Sequence, residues 1–433
     1  MMALPKVKHD ATEARLEGLF LPEGVGWTAA ARQDALARLR AQGVPHRRDE
    51  YWRFTDPARL TAAAPRPAAP MDLSDEAVLH DEIDRLKIVF RDGVFDAGAS
   101  DDLAVEGCEI VRLAEAQKTD LHWARDIYGA LEAQGQTPVD RPLAALNTAF
   151  AQDGVLIRVT GRVPRPVEIV YRHEDDTSDP ILHHVVRIEP GAELTLLETG
   201  TAGARFNTAL EVDIADDGRF HHLRDQGRNH LRQAATHSFA RLGARSVFKS
   251  FTLTLNGALT RNENVIAFTG NDAQAHVAGA AIGDGREDPF HHDDTVFITH
   301  DAVNCESRQV FKKVLKNGAV GVFQGKILVK KGAQKTDGYQ ISQSLLLDDD
   351  SQFLAKPELE IYADDVACSH GSTTGAIDEE ALFYLRSRGV PEPRAQDLLV
   401  LAFLAEALLE IEDDTIAEGL RQRIEDWLDR RAG

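Results

Sequence analysis

From about Val155 the chain becomes a succession of short strand-like runs, and this fixes more about the fold than any other feature. "GVLIRVTG", "PVEIVYRH", "HHVVRIEPGAELTLLETG", "TALEVDIADDG", "SVFKSFTLTLNG", "ENVIAFTG" and "GVFQGKILVKKGA" are rich in Val, Ile, Thr and Phe. Gly, Asn and Asp punctuate them every ten to fifteen residues or so. Runs of this kind predict strands, and their punctuation predicts turns. No helical pattern interrupts them for about two hundred residues. A sandwich, a barrel and a parallel β-solenoid all satisfy the pattern, and no clean fixed-period repeat selects the solenoid.

The flanks are helical. "AAARQDALARLRAQGV" (Ala29–Val44) predicts a helix ending at Gly43. "AAAPRPAAP" (Ala62–Pro70) reads as a stiff linker, because each proline fixes φ and removes a donor. "LKIVFRDGVF" (Leu86–Phe95) predicts a hairpin turning at Asp92-Gly93. After Ala363 helices return. Asp378 is placed to cap "EEALFYLRSRG", with Ile377 and Leu382 at staple positions and Gly389 as the stop. The next helix, "QDLLVLAFLAEALLEI" (Gln396–Ile411), is apolar around nearly its whole circumference. It must be covered either by the rest of this chain or by a partner. Three regions are expected: residues 1–150, helical with the linker and hairpin; 151–362, the β core; and 363–433, helical.

Composition removes several function classes. Seventy acidic against 49 basic residues give a net charge of −21. That field repels phosphate backbones and anionic membranes, so neither nucleic acid nor a membrane is expected as partner. No apolar run reaches the roughly 20 residues that span a bilayer, and the start lacks a secretory pattern; a cytoplasmic location is expected. Cys108, Cys305 and Cys368 are the only cysteines. They are too few for a disulfide framework or for a four-thiolate metal site. No GxxxxGK[ST] and no GxSxG occurs, so neither an ATPase nor a serine hydrolase is expected.

The chemical candidates are few. In "DDVACSHGSTTG" Cys368 and His370 are two residues apart. On an extended strand they share a face. A protonated imidazole beside a thiol favours the thiolate, and sulfur with a borderline nitrogen suits iron or zinc. The plainer alternative is a small buried thiol. Eleven of 16 histidines lie between His173 and His300. Among them "HHDDTVFITH" offers His291, His292, Asp293 and Asp294, whose more ordinary fate is cross-strand pairing. Cys305 and Cys108 read as core and strand positions.

The runs "HHDDTVFITHDAVNCESRQVFKKVL", "GVFQGKILVKKGAQKTDGYQISQSLLL" and "KPELEIYADDVACSHGSTTGAIDEEALFYLRSRGV" resemble the SufB/SufD family of iron–sulfur cluster assembly proteins. The resemblance is close over residues 290–404, and "DEYWRFTD" (Asp49–Asp56) looks like the family's Glu-x-Trp-[Arg/Lys]-[Tyr/Phe]-Thr element. Cys-Ser-His-Gly, without a following Glu, is closer to the SufD side of the family. The resemblance implies a right-handed parallel β-helix between N- and C-terminal helical domains. It implies a non-catalytic scaffold that pairs with SufB and docks the ATPase SufC. The motif histidine, here His370, would face a SufB cysteine where a transient iron–sulfur cluster forms, with Cys368 as a further ligand candidate. Docking of SufC would involve Leu382, Tyr384, Leu385, Leu398, Leu401, Phe403 and Leu404. Family complexes are associated with a reduced flavin, and nothing in this sequence marks a flavin site. A homodimer through the same β-helix edge is the alternative when SufB is absent. A purely structural SufB partner and a polysaccharide-active β-helix enzyme are the competing functions.

Overall fold

The computed structural model describes residues 4–72, 78–227, 231–286 and 288–431. Successive strands from Val155 onward go alternately to a ten-stranded and a nine-stranded sheet. From Ile181–Ile188 to Thr336–Leu346 each pairs in parallel with the strand two before it and the strand two after it. Such connectivity is a parallel β-solenoid of about seven turns, with helices at both ends of the chain. It rules out the sandwich and the barrel that the strand pattern left open. Antiparallel pairing occurs at the start, where Leu86–Arg91 turns back into Val94–Phe95 and Cys108–Arg112 pairs with Val155–Val159. The hairpin turn has both Asp92 (φ 46°) and Gly93 (φ 84°) left-handed, as a two-residue turn that matches strand twist requires.

Coil length varies. The paired residues Gln233 and Leu259 are 26 positions apart, Thr260 and His292 are 32 apart, and His291 and Val320 are 29 apart. The corners absorb the difference. Asp217, Asn256, Asp272, Asn304 and Asn317 all have positive φ there, a conformation that short polar side chains tolerate. Some corners also stack: Asn304 Nδ2 donates to Asp272 Oδ1 at 2.6 Å, and Asn317 Nδ2 to Asp284 Oδ1 at 2.7 Å.

Strand alternation sends one set of side chains into the lumen and the other outward. The lumen holds Phe220, Phe248, Ile266, Phe268, Val296 and Phe311. Outward residues of the ten-stranded sheet, among them Phe251, Leu253, Ala280 and Val314, pack under the C-terminal helices Glu392–Leu408 and Asp414–Arg431. Those of the nine-stranded sheet, including Leu156, Ile181, Val185 and Phe239, pack under the N-terminal helices. Away from its last strands each sheet is therefore covered on both faces, as parallel sheets require. Among the described residues no helix is long and apolar enough to cross a membrane.

A file of buried polar groups runs through the lumen beside the aromatic core. Arg224 and His222 both donate to Glu198 Oε1 at 2.7 Å, and Tyr171 donates to Glu198 Oε2 at 2.6 Å. Arg224 also reaches Thr236, which with Gln226 donates to Asn262. Asn262 in turn donates to Asp294, the partner of Lys313 at 2.7 Å. Outside the lumen Arg261 bridges Glu263 and Asp293 beneath Trp52. The four ligand-like residues of "HHDD" are thus divided between the faces. His291 and Asp293 meet Thr55 outside; His292 and Asp294 meet Lys313 inside. None of them joins a metal-binding cluster, and among the described residues no group of three or more His, Cys, Asp or Glu gathers as one.

Burial pulls the His292 imidazole down to about 3 and those of His184 and His221 down to about 4. These rings are neutral in the fold, whereas the unfolded chain protonates them below an ordinary value of 6.5. The unfolded state then binds more protons, so stability is present in full above that pH and is lost below it. Burial also pushes the Glu198 carboxyl up, but Arg224 and His222 overcome it and hold it well below its ordinary 4.5, which adds a second loss at lower pH. Urea unfolding at a series of pH values should give constant stability from about pH 7 to 8. It should then fall continuously from about pH 6.5 to 4.

Candidate functional site

Two strands end the solenoid. Gln352–Ile361 pairs only with Val320–Val329, and Val366–Gly375 pairs only with Thr336–Leu346. The β structure therefore continues to Gly375, and the expected boundary at 362/363 falls inside the last coil. Cys368 and His370 lie on the final strand, not in the C-terminal helical region. The sequence hid this because "VACSHGSTTG" is poor in the large β-branched and aromatic residues that mark a strand. Its pairing comes from register with the coil below.

That register is Gly338 with Cys368, Gln340 with His370, Ser342 with Ser372 and Ser344 with Thr374. The outer members point to one side, toward the mouth of the lumen. Ser342 donates to Ser372 at 3.1 Å and Ser344 to Thr374 at 3.2 Å, which locks this alignment. Cys368 is half-buried against Ile327, Val329, Leu359 and Val366. It fits because Gly338 lies beneath it: a Cβ at that position would stand 3.1 Å from Sγ. Burial pushes the Cys368 thiol up; the Gly338 N–H opposes this and Asp337 reinforces it. Burial thus favours the thiol of Cys368 over the thiolate. His370 is exposed and forms no hydrogen bond with any described residue. The strand pairing thus brings one thiol and one imidazole to the same face of an edge, with soft and borderline donors that suit iron.

The two other thiols are remote from this chemistry. Cys305 is buried in the lumen core, and Cys108 pairs across the first antiparallel strands. Burial raises both thiols, that of Cys108 to about 11.

The N-terminal element braces the open end. Tyr51 donates to Glu358 at 2.7 Å and Lys356 pairs with Glu50 at 2.7 Å, which ties "DEYWRF" to the penultimate strand.

The C-terminal helices separate into two kinds. Glu392–Leu408 is covered by this chain: Val400, Leu404 and Ala407 are almost wholly buried, and Lys312 sits 4.4 Å over the Phe403 ring. One face of this apolar helix is thus covered internally while Ala402 and Leu409 stay exposed, and Leu404 is corrected from docking candidate to core. Leu398, Leu401 and Phe403 are half-buried. Glu379–Ser387 is capped by Asp378, whose carboxylate accepts the N–H groups of Glu380 and Ala381, and it packs on the helix that follows. Leu382 and Leu385 are half-buried, while Tyr384 is 57% exposed and Phe383 73% exposed. Phe383 was missed, though the signal was there: five apolar residues in succession, Ala381–Leu385, cannot all face one neighbour on a helix.

A parallel β-solenoid between helical caps, with a Cys-x-His pair on its last strand, is the class of protein these observations define. Sequence comparison identifies the family. A profile described as "SUF system FeS cluster assembly, SufBD core domain" matches residues 171–403, and "SufBD protein N-terminal region" matches residues 25–169. The chain belongs to the SufBD family of iron–sulfur cluster assembly proteins. It is 28% identical to the iron–sulfur cluster assembly protein SufD of Escherichia coli, over 94% of this chain and 93% of that one. It is 26% identical to a SufBD family protein of Mycobacterium tuberculosis, over 89% and 90%, and to SufD of Bacillus subtilis, over 67% of each chain.

With its thiol raised by burial, Cys368 should alkylate slowly at neutral pH. Mass-spectrometric rates with iodoacetamide should climb through pH 9, the ordinary thiol value, and keep climbing above it. A rate that levels off below pH 8 would contradict this description of the site.

Proposed function

We propose that this chain is a SufD-type scaffold subunit that pairs with SufB through its open solenoid end and docks the ATPase SufC through its first C-terminal helix. The observation that carries the reading is the location of Cys368 and His370 on a strand with one free edge. A free edge is a template for another strand. Two donors are too few to hold a cluster, and a neighbouring subunit seated on that edge would bring its own donors within reach of them. The cluster is cargo, built at the seam and passed on. In this reading His370 is an iron ligand or a charge partner for the incoming sulfide, and Cys368 a secondary ligand. The setting is the cytosol, where three unpaired cysteines stay reduced. Nucleotide hydrolysis belongs to SufC, and this chain transmits the motion.

Replacing His370 with Ala should leave co-purification with SufB and SufC intact. It should abolish iron and sulfide retained by the complex, measured by colorimetric assay after anaerobic purification. Wild-type iron and sulfide in that variant would refute the ligand role and leave a structural partner.

The exposed pair on the first C-terminal helix gives a separate test. Phe383→Asp with Tyr384→Asp should weaken SufC binding by at least about tenfold, because apolar anchors of an interface cost on the order of 2 kcal/mol when lost. Isothermal titration with SufC checks this, and unchanged affinity would remove the helix from the docking surface.

A further inference from the structure

The column of side chains behind His370 contains an unusual pair. Gln309, Gln340 and His370 occupy one register line across three successive strands of the ten-stranded sheet. Gln309 and Gln340 are both wholly buried. Gln340 Nε2 donates to Gln309 Oε1 at 2.8 Å. Gln340 Oε1 and Gln309 Nε2 have no hydrogen-bond partner among the described residues. A buried amide atom without a partner is costly, and native structures hold few of them.

The surroundings explain how Gln340 is held. Its carboxamide lies over Gly325 on the facing sheet, where a Cβ would stand 2.2 Å from Nε2. Only a residue without a side chain admits it. The amide nitrogen is turned toward Gln309 in the coil below, and the oxygen on the other arm of the carboxamide is left unpartnered. The next strand toward the open end presents His370, whose imidazole forms no hydrogen bond with any described residue. Cβ atoms of paired residues on neighbouring strands stand roughly 5 Å apart, within reach of a glutamine and an imidazole.

We propose that Gln340, held by Gln309, is a positioning residue whose unpartnered Oε1 accepts the imidazole N–H of His370 when the ring turns onto it, and so presents the other ring nitrogen to the open seam. The inference rests on the role of His370 proposed above. A ligand histidine that donates its second N–H to a fixed acceptor has its tautomer and ring plane set. A neutral carboxamide does this without adding a buried charge, whereas a carboxylate at position 340 would sit uncompensated inside the lumen. Gly325 and Gln309 then have a shared purpose: one leaves room for the carboxamide and the other fixes which way it points.

The test separates this contact from the ligand role. In the full-length chain labelled with ¹⁵N-histidine, His370 is assigned by its loss in His370→Ala. Gln340→Leu removes the acceptor while keeping much of the volume. The ring-nitrogen shifts of His370 should then move toward the mixed-tautomer average. Gln309→Leu, which frees the amide to rotate, should move them in the same direction by less. Gln340→Asn, too short to reach, should resemble Gln340→Leu. In the reconstituted SufB–SufC complex, ferrous ion should bind Gln340→Leu at least about tenfold more weakly, the usual effect of losing the group behind a ligand histidine. Unchanged His370 shifts in a folded Gln340→Leu chain would overturn the positioning role, whatever happens to iron. Shifts that move while His370→Ala binds iron normally would support the contact and reject the ligand reading.

Discussion

Parallel hydrogen bonding of each coil to the coils on either side is the interaction on which the rest depends. It fixes which residues share a face, so it decides which side chains meet in the lumen and which meet the helices. A slip of one residue would turn Phe248, Phe268 and Phe311 out of the core and bring the outward ion pair of Arg261 and Glu263 into it. The same bonding places Cys368 over Gly338 and His370 over Gln340. It also stops at Gly375, where the last strand has no further coil to pair with. The end that carries Cys368 and His370 is the point at which the main source of cohesion runs out.

The lumen is not a simple apolar filling. Glu198, Arg224, His222, Asp294 and Lys313 are buried where aliphatic side chains would fill the space. Buried ion pairs rarely stabilise a fold more than an apolar replacement of equal volume. Their effect here is better understood as selection. Each carboxylate meets its cation only when the coils are in register, and coils of unequal length offer many wrong registers. The histidines kept neutral in this file make the same selection sensitive to acid.

Much of the fold was legible before the structure. Strand composition, the Asp92-Gly93 turn and the Asp378 cap are local signals, and local signals survive in sequence. The solenoid was legible only by resemblance, because coils of 26 to 32 residues leave no fixed period to detect. The last strand was illegible for a different reason: "VACSHGSTTG" is a strand because Thr336–Leu346 lies beneath it, a non-local cause. For the same reason the Gln309–Gln340 pair carries no mark in sequence, since a separation of 31 positions means nothing until the register is known. The helix Glu392–Leu408 shows that an all-round apolar surface poses the question of what covers it without answering it. Here the answer was the outer face of the ten-stranded sheet.

The central claim is that the free edge of Val366–Gly375 becomes an internal strand pairing in the assembled complex. Amide hydrogen exchange of that strand, followed by mass spectrometry in the isolated chain and in the complex with SufB and SufC, tests it directly. The account predicts rapid exchange of the outward-facing amides in the isolated chain and strong protection in the complex, confined to this edge and to that of Gln352–Ile361. Equal exchange of these two strands in both states would contradict it.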